Sequence, residues 1–174
     1  KPVATATSVM KLVEMGKIQL RDPVAKYIPE FGINGKETIS IYQLLTHQGG
    51  LTPDNSIKDY ADGPAVAMQR IDALKPIAEP GTKFIYTDVG FIVLARLVQR
   101  VSGLDVHQFS QKHIFKPLGM IETGYLPNHG LRDRAAVTQK RDGVWMKGVV
   151  HDPRAFRLKG IAGHAGLFST AEDL

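Results

Sequence analysis

Apolar residues recur along the first part of the chain with the spacing of an amphipathic helix. In residues 4–15 they stand at i, i+3, i+4 and i+7, which predicts a helix with one buried stripe. The stripe consists of Ala6, Val9, Met10 and Val13. Pro2 suits the first turn of this helix, and Gly16 suits the position just after its end.

The same periodicity and the usual capping residues predict four more helices. Residues 40–46 open with Ser40 followed by Gln43, a capping-box pattern, and residues 64–74 form a further apolar-rich segment. The strongest helical pattern follows Tyr86-Thr87-Asp88 and closes at Gly103. Its apolar stripe is Phe91, Leu94, Ala95 and Val98. A fifth helix, capped by Asp105 with Gln108, should turn Val106 and Phe109 inward.

The pattern weakens between residues 120 and 160. We expect loops there and one short strand pair around residues 144–150, followed by a glycine-rich turn at 160–166. No run has the character of a central strand of a large sheet. The chain is therefore expected to be mostly helical.

Length and composition indicate one globular domain. The chain has 174 residues, 43% of them apolar and 22% charged, and no run of about 18 to 20 apolar residues that could span a membrane. The absence of cysteine excludes disulfides, thiol catalysis and cysteine-bound zinc. Because the chain starts at Lys1 rather than Met and stops in what reads as a helix start, we expect both ends to be internal to a longer protein.

The net charge of +5 does not indicate a nucleic-acid-binding protein. The 22 lysines and arginines are scattered, without a basic run that could follow a phosphate backbone. We expect no nucleic-acid partner; a basic nucleic-acid module would instead show DNA binding that depends steeply on salt.

Local features alone give Tyr86 and Asp88 structural roles. Tyr86 follows a Pro-Gly turn and precedes a strong helix, where a tyrosine usually packs with its hydroxyl satisfied. Asp88 can cap that helix or point into the same pocket as Tyr86, and an aspartate at this position is more often the cap.

The histidines offer no metal-binding pattern. His47 is expected to make a structural hydrogen bond. The His151-Asp152 pair is similar to those of metal hydrolases, but no second histidine or carboxylate stands at ligand spacing, so no metal site is predicted. His164 lies in the glycine-rich turn, where lining a pocket and bracing the loop are both open.

Five segments, taken in order, resemble those of the β-lactamase and penicillin-binding-protein family of serine hydrolases. Lys1 matches the lysine of the family's Ser-x-x-Lys motif, and Tyr86-Thr87-Asp88 is similar to its Tyr-Ser-Asn motif. Residues 44–47 read Leu-Leu-Thr-His, residues 117–120 read Pro-Leu-Gly-Met, and residues 163–174 resemble the family's Gly-Gly-Leu-x-Ser-Thr-Ala-x-Asp-Leu segment. Each match alone is weak, and their common order makes the resemblance specific.

The resemblance implies an α/β (α+β) fold of the β-lactamase and transpeptidase type. Residues 1–174 would form a partial domain that holds mainly the helical part, with most of the sheet missing. Without that sheet, we expect the isolated chain to expose the buried face of its first helix and to aggregate.

The resemblance also assigns catalytic roles. Lys1 would be the activating lysine and Tyr86 the general base. The nucleophilic serine would stand three residues before Lys1, and the family's Lys/His-Thr-Gly motif would follow residue 174, so both would lie outside the chain. Asp88 and His164 would contact substrate. Asp88 departs from the family's usual asparagine, because an ionised carboxylate cannot donate a hydrogen bond and disfavours an anionic substrate.

These roles imply a serine hydrolase that cleaves an amide or ester through an acyl-enzyme. A carboxypeptidase or esterase is favoured over an efficient β-lactamase, with no cofactor, a small-molecule or peptide substrate, and a periplasmic or extracellular location. The chain alone is expected to be inactive. The alternative is a non-catalytic penicillin-binding-like module that binds peptides or cell-wall pieces, which the residue three before Lys1 would distinguish.

Overall fold

The computed structural model describes residues 1–174 as a mainly helical molecule with two small sheets. A π-helical turn, Pro2–Ala6, runs into the first α-helix, and a second, Gln111–Phe115, continues the fifth. The α-helices are α1 (Thr7–Glu14), α2 (Ile41–Leu45), α3 (Pro64–Ala73), α4 (Asp88–Ser102), α5 (Val106–Ser110), α6 (His129–Arg134) and α7 (Pro153–Arg157). The strands are β1 (Gly124–Tyr125), β2 (Val137–Arg141), β3 (Val144–Lys147) and β4 (Leu167–Phe168). Short 3₁₀ turns lie at Val24–Lys26, Pro29–Phe31 and Ile57–Tyr60.

Helix α4 is the centre of the core. Eight of its residues are buried, and seven of them belong to a cluster of 21 buried apolar residues that extends from Val9 to Phe109. Helices α1, α2 and α5 all pack against α4. Gly103 ends α4 in the left-handed region, at φ 77°, as the sequence predicts.

The first helix forms where predicted, but its buried stripe is displaced by one residue. The inward positions are Thr5, Ser8, Val9 and Leu12, whereas Met10 is 45% exposed. The apolar periodicity misplaces the stripe because two of the inward positions, Thr5 and Ser8, are polar. Thr5 is tolerated in the interior because its hydroxyl donates to the Gly163 carbonyl at 2.7 Å.

The inner face of α1 is also covered. Val9 and Leu12 are buried against the chain's own core, in contact with α4 and α5. The expectation that this face would be exposed is therefore wrong, since helices within the chain cover it.

Both predicted capping boxes are present. Ser40 and Gln43 cap α2 reciprocally, and Asp105 and Gln108 do the same for α5. Val106 and Phe109 are buried, as expected.

The strand pair near residue 145 lies earlier than predicted. β2 and β3 form an antiparallel hairpin, with Lys140 opposite Trp145, around a turn in which Asp142 and Gly143 have φ 51° and 81°. This is the geometry of an Asp-Gly hairpin turn, so the first strand precedes residue 144. The second sheet pairs β1 with β4, the latter following the glycine-rich loop.

No helix of the structure combines the length and apolar character that crossing a membrane requires.

Candidate active site

The amino group of Lys1 lies at the junction of the first helix and the start of α4. Its Nζ is 2.5 Å from Asp88 Oδ1 and donates to the Thr87 carbonyl at 3.3 Å. The Lys1 side chain is only 8% exposed. A charged amine with so little contact with water depends on these partners for its solvation.

The Tyr86 ring covers the other side of this amine. Lys1 Nζ is 3.6 Å from the ring centroid, a cation–π distance, and 5.4 Å from that of Phe91. Tyr86 is 59% exposed, so its phenol borders solvent. The structure therefore brings together Lys1 and Tyr86, which are 85 positions apart, with the ammonium against the ring face rather than hydrogen-bonded to the phenol oxygen.

His47 supports the backbone that carries Tyr86. The Thr87 N–H donates to His47 Nδ1 at 3.1 Å, and the His47 ring lies 4.5 Å from that of Tyr86. Burial lowers the pKa of His47, and the nearby Lys1 charge lowers it further, which favours the neutral ring that this hydrogen bond requires. The structural hydrogen bond predicted for His47 is present.

Thr87, not Asp88, caps α4. The Thr87 hydroxyl accepts from the Gly90 N–H at 3.4 Å and donates to the Thr52 carbonyl at 2.6 Å. The capping role expected for Asp88 is therefore wrong. Asp88 occupies the first turn, and its carboxylate is turned to Lys1 instead.

His164 pairs with a residue that the sequence did not connect to it. Its Nε2 is 2.9 Å from Asp152 Oδ1, and its side chain is 1% exposed. In this arrangement the ring braces the glycine-rich loop, and its predicted contact with substrate stays a prediction. His151, the neighbour of Asp152, is exposed.

Asp152 was missed as a site residue because its partner is twelve positions away. The usable signal was Asp152-Pro153, since an aspartate before proline is typical of a helix start, and Asp152 does cap α7 by accepting from the Ala155 N–H at 2.7 Å. Burial alone would raise the pKa of this carboxyl, but hydrogen bonds from His164 and Ala155 outweigh it and hold the pKa at about 2.

One set of side chains has the composition of a metal site. Asp88, Asp152 and His164 offer donor atoms that all lie within 4.8 Å of one another, so the structure brings to Asp152 a second carboxylate and a histidine that the spacing along the sequence did not indicate. Existing partners engage this set, however: the Lys1 ammonium on Asp88 and His164 on Asp152. A cation would have to displace both, so the donors fit an ion-pair network better than a metal centre.

A groove of about 550 Å³ opens beside Lys1. Besides Lys1, the groove is lined by the segment from Ala165 to Thr170 and by residues that include Ala135, Ala136 and 149–151. The groove gives an extended molecule access to the Lys1 side of the site.

Comparisons with known proteins agree with this geometry. The family model named Beta-lactamase matches residues 1–174. The chain is 30% identical to an N-acetylmuramyl-L-alanine amidase of Bacillus subtilis strain 168, aligned over the whole chain and 46% of that protein. It is 34% identical to a protein of Escherichia coli strain K12 assigned as a D-alanyl-D-alanine carboxypeptidase, again over the whole chain and 47% of that protein.

Solved structures share the fold. A D-alanine carboxypeptidase of Burkholderia cenocepacia matches with a TM-score of 0.75 and 26% identity, covering 98% of this chain and 44% of that one. A β-lactamase/D-alanine carboxypeptidase of Yersinia pestis, complexed with citrate, matches with a TM-score of 0.75 and 24% identity, over 98% and 48%. The chain thus spans about half the length of the curated relatives that it matches.

Proposed function

The chain belongs to the β-lactamase family, and we propose that it is part of a longer serine hydrolase, the parent protein, that cleaves an amide or ester through an acyl-enzyme. Residues 1–174 would be the helical part of its catalytic domain. The observation that carries the proposal is the meeting of Lys1, Tyr86 and Asp88 beside an open groove.

The nucleophile would be a serine three residues before Lys1. Positions i and i+3 of a helix share a face, so this hydroxyl would lie next to the Lys1 amine. An ordinary serine hydroxyl needs an adjacent base to attack a carbonyl. Tyr86 is the candidate base: its phenol is exposed toward solvent while its ring contacts Lys1.

Lys1 would act mainly through its charge. A nearby ammonium stabilises a phenolate, so Tyr86 could take the serine proton during acylation and return it to the leaving group. Water would then hydrolyse the acyl-enzyme. The Asp88 carboxylate partly cancels the Lys1 charge, so we expect slower acylation at neutral pH than an asparagine would allow.

The substrate would be an amide or ester of a small molecule or peptide. The names of the two curated relatives refer to cell-wall peptides, and those names favour a substrate of that class and a periplasmic or extracellular location. Asp88 favours a neutral group next to the scissile bond over a carboxylate.

A fluorophosphonate probe tests the mechanism. The parent protein would be incubated with the probe, weighed intact and mapped by peptide mass. We expect one adduct on the serine three residues before Lys1. Tyr86→Phe keeps the ring that packs on Lys1 and His47 but removes the hydroxyl, and it should slow labelling about 10² to 10⁴-fold, the usual contribution of a general base.

A folded parent protein without an adduct would contradict the hydrolase. It would support the alternative, a penicillin-binding-like module that binds peptides or cell-wall pieces without turnover. Glycine or alanine three residues before Lys1 would likewise contradict the hydrolase and support the binding module.

A further inference from the structure

A second carboxylate, which the proposed mechanism does not use, lies close to Asp88. Asp152 lies at the start of α7, far from Asp88 in sequence. One of its carboxylate oxygens nevertheless lies within 4.8 Å of a carboxylate oxygen of Asp88. Its side chain is 19% exposed. Lys1 thus has one carboxylate in direct contact, that of Asp88, and the carboxylate of Asp152 lies close to this first one.

Asp152 is fixed in place from several directions. Its Oδ1 accepts from the Ala155 N–H at 2.7 Å and contacts His164 Nε2 at 2.9 Å. The loop that carries His164 is tied to the first helix by the bond from the Thr5 hydroxyl to the Gly163 carbonyl. The carboxyl also stays ionised at any working pH, because its pKa is about 2.

This arrangement exceeds what bracing a loop requires. A neutral acceptor could also cap α7 and accept from His164, because both partners need an oxygen with a lone pair. Two like charges within 4.8 Å repel each other, so a fixed ionised carboxylate at this point costs free energy unless a cation nearby compensates it. His164 contacts Asp152 and Lys1 contacts Asp88, and of these two groups Lys1 is the ammonium.

We propose that Asp152, held by His164, is a positioning residue for the Lys1–Asp88 pair: it supplies a second fixed negative charge that keeps Lys1 in the ammonium form. The inference rests on the proposed function, in which that ammonium leaves Tyr86 to accept the serine proton. The two carboxylates would also disfavour substrates with a negative group near the scissile bond.

Other groups face Lys1 and share in its electrostatics. Tyr86 and Asp88 contact it directly, and His47 lies beside Tyr86. His164, in the glycine-rich loop, contacts Asp152 through Nε2, while its Nδ1 is buried and has no hydrogen-bond partner. The test therefore changes only the charge of Asp152 and leaves these groups in place.

Asp152→Asn removes the charge and keeps both hydrogen-bond acceptor roles, since asparagine also caps helices well. Asp152→Ser is a second neutral cap, in case the asparagine variant folds poorly. Glu14→Gln is the matched control: it removes one negative charge at the far end of α1, about 20 Å from Lys1 at 1.5 Å per residue.

The measurement is competitive acetylation of the parent protein with acetic anhydride between pH 7 and 11, read by peptide mass. The exposed Lys17 amine serves as the internal standard. We expect the half-reaction pH of Lys1 to fall by about half a unit to one unit in Asp152→Asn and Asp152→Ser, because a nearby negative charge has been removed. Glu14→Gln should leave it within about 0.2 units, since an exposed charge at that distance is screened.

The inference would be overturned if the pH profile of Lys1 acetylation in both Asp152 variants were the same as in Glu14→Gln. The acetylation profile does not depend on hydrolase activity, so it separates this failure from a failure of the proposed function, which the missing fluorophosphonate adduct would reveal. In a labelled parent protein, the pH profile of serine labelling should move in the same direction as the acetylation profile.

Discussion

Asp88 differs from the asparagine usual in the family by one heavy atom of the side chain, and this difference changes its charge and its ability to donate a hydrogen bond. The family's usual asparagine can donate to a substrate and accept from the lysine, whereas Asp88 can only accept and carries a full charge. Its Oδ1 contacts Lys1 Nζ at 2.5 Å, and its side chain is 25% exposed. In this structure the Lys1 ammonium is therefore paired with Asp88.

Replacing Asp88 with asparagine should therefore change the preference for substrate charge. We expect Asp88→Asn of the parent protein to react with an anionic penicillin about tenfold faster relative to p-nitrophenyl butyrate, a neutral ester, because one repelling charge is lost. The ratio of the two acylation rate constants is the quantity to measure, since an effect on folding would lower both rates alike. An unchanged ratio would mean that Asp88 does not select substrates by charge.

At the scale of elements, the glycine-rich loop is seated directly on α4. A methyl group added at Gly163 would lie 1.8 Å from the Phe91 carbonyl oxygen and 2.8 Å from Ala95 Cβ. The glycine is needed for this close approach, not for its conformation. The contact matters for the site because the next residue, His164, holds Asp152.

Gly163→Ala should consequently destabilise the chain by about 3 kcal/mol or more, because backbone atoms of the loop and α4 would have to separate. Gly130→Ala is the matched control: its added methyl would meet only Asn128 Oδ1 at 3.7 Å, and in helix α6 it should be neutral or stabilise by about 0.5 to 1 kcal/mol. Urea unfolding of the two variants measures the difference. Equal midpoints would contradict the close packing of the loop on α4.

At the scale of the whole molecule, the buried core is unevenly distributed. The main cluster lies between Val9 and Phe109, and the later part of the chain adds only clusters of five and three buried residues that include members beyond residue 120. In the β2–β3 hairpin only Met146 is buried, and Val144 and Trp145 are 71% and 56% exposed. The β2–β3 hairpin, which contributes Thr138 to the groove, thus has less packing than the helices next to Lys1 and Tyr86.

Hydrogen exchange of the 174-residue chain should reflect this difference. We expect the amides in the middle of α4 to exchange at least about a hundredfold more slowly than those of the β2–β3 hairpin, since opening α4 disrupts the main core while opening the hairpin exposes almost nothing new. Mass spectrometry of peptides from both segments would measure it. Equal protection would indicate that the hairpin has a packing partner.

Local signals along the sequence were enough for the five helices before residue 120 and for the family, whereas α6 and α7 formed where loops were expected. Caps such as Ser40 with Gln43 and the stop at Gly103 depend on bonds within four residues, and the structure has them where predicted. The segments from Lys1 to Leu174 that resemble the family lie in a fixed order, and the fold follows from that membership. The mostly helical character, without a large sheet, was predictable for the same reason.

Only the tertiary structure decided which side chains meet. Thr87 and Asp88 are adjacent and both suit a helix cap, and the choice was settled by distant groups, the Thr52 carbonyl and Lys1. The inward face of the first helix likewise depends on the Gly163 carbonyl that accepts from Thr5.

The pairing of Asp152 with His164 has the same origin. It spans twelve residues without a helical or strand period, so no local pattern encodes it. Periodicity and capping report forces between neighbours in sequence, whereas an active site is built from residues far apart in the chain, whose contacts exist only once the core has packed.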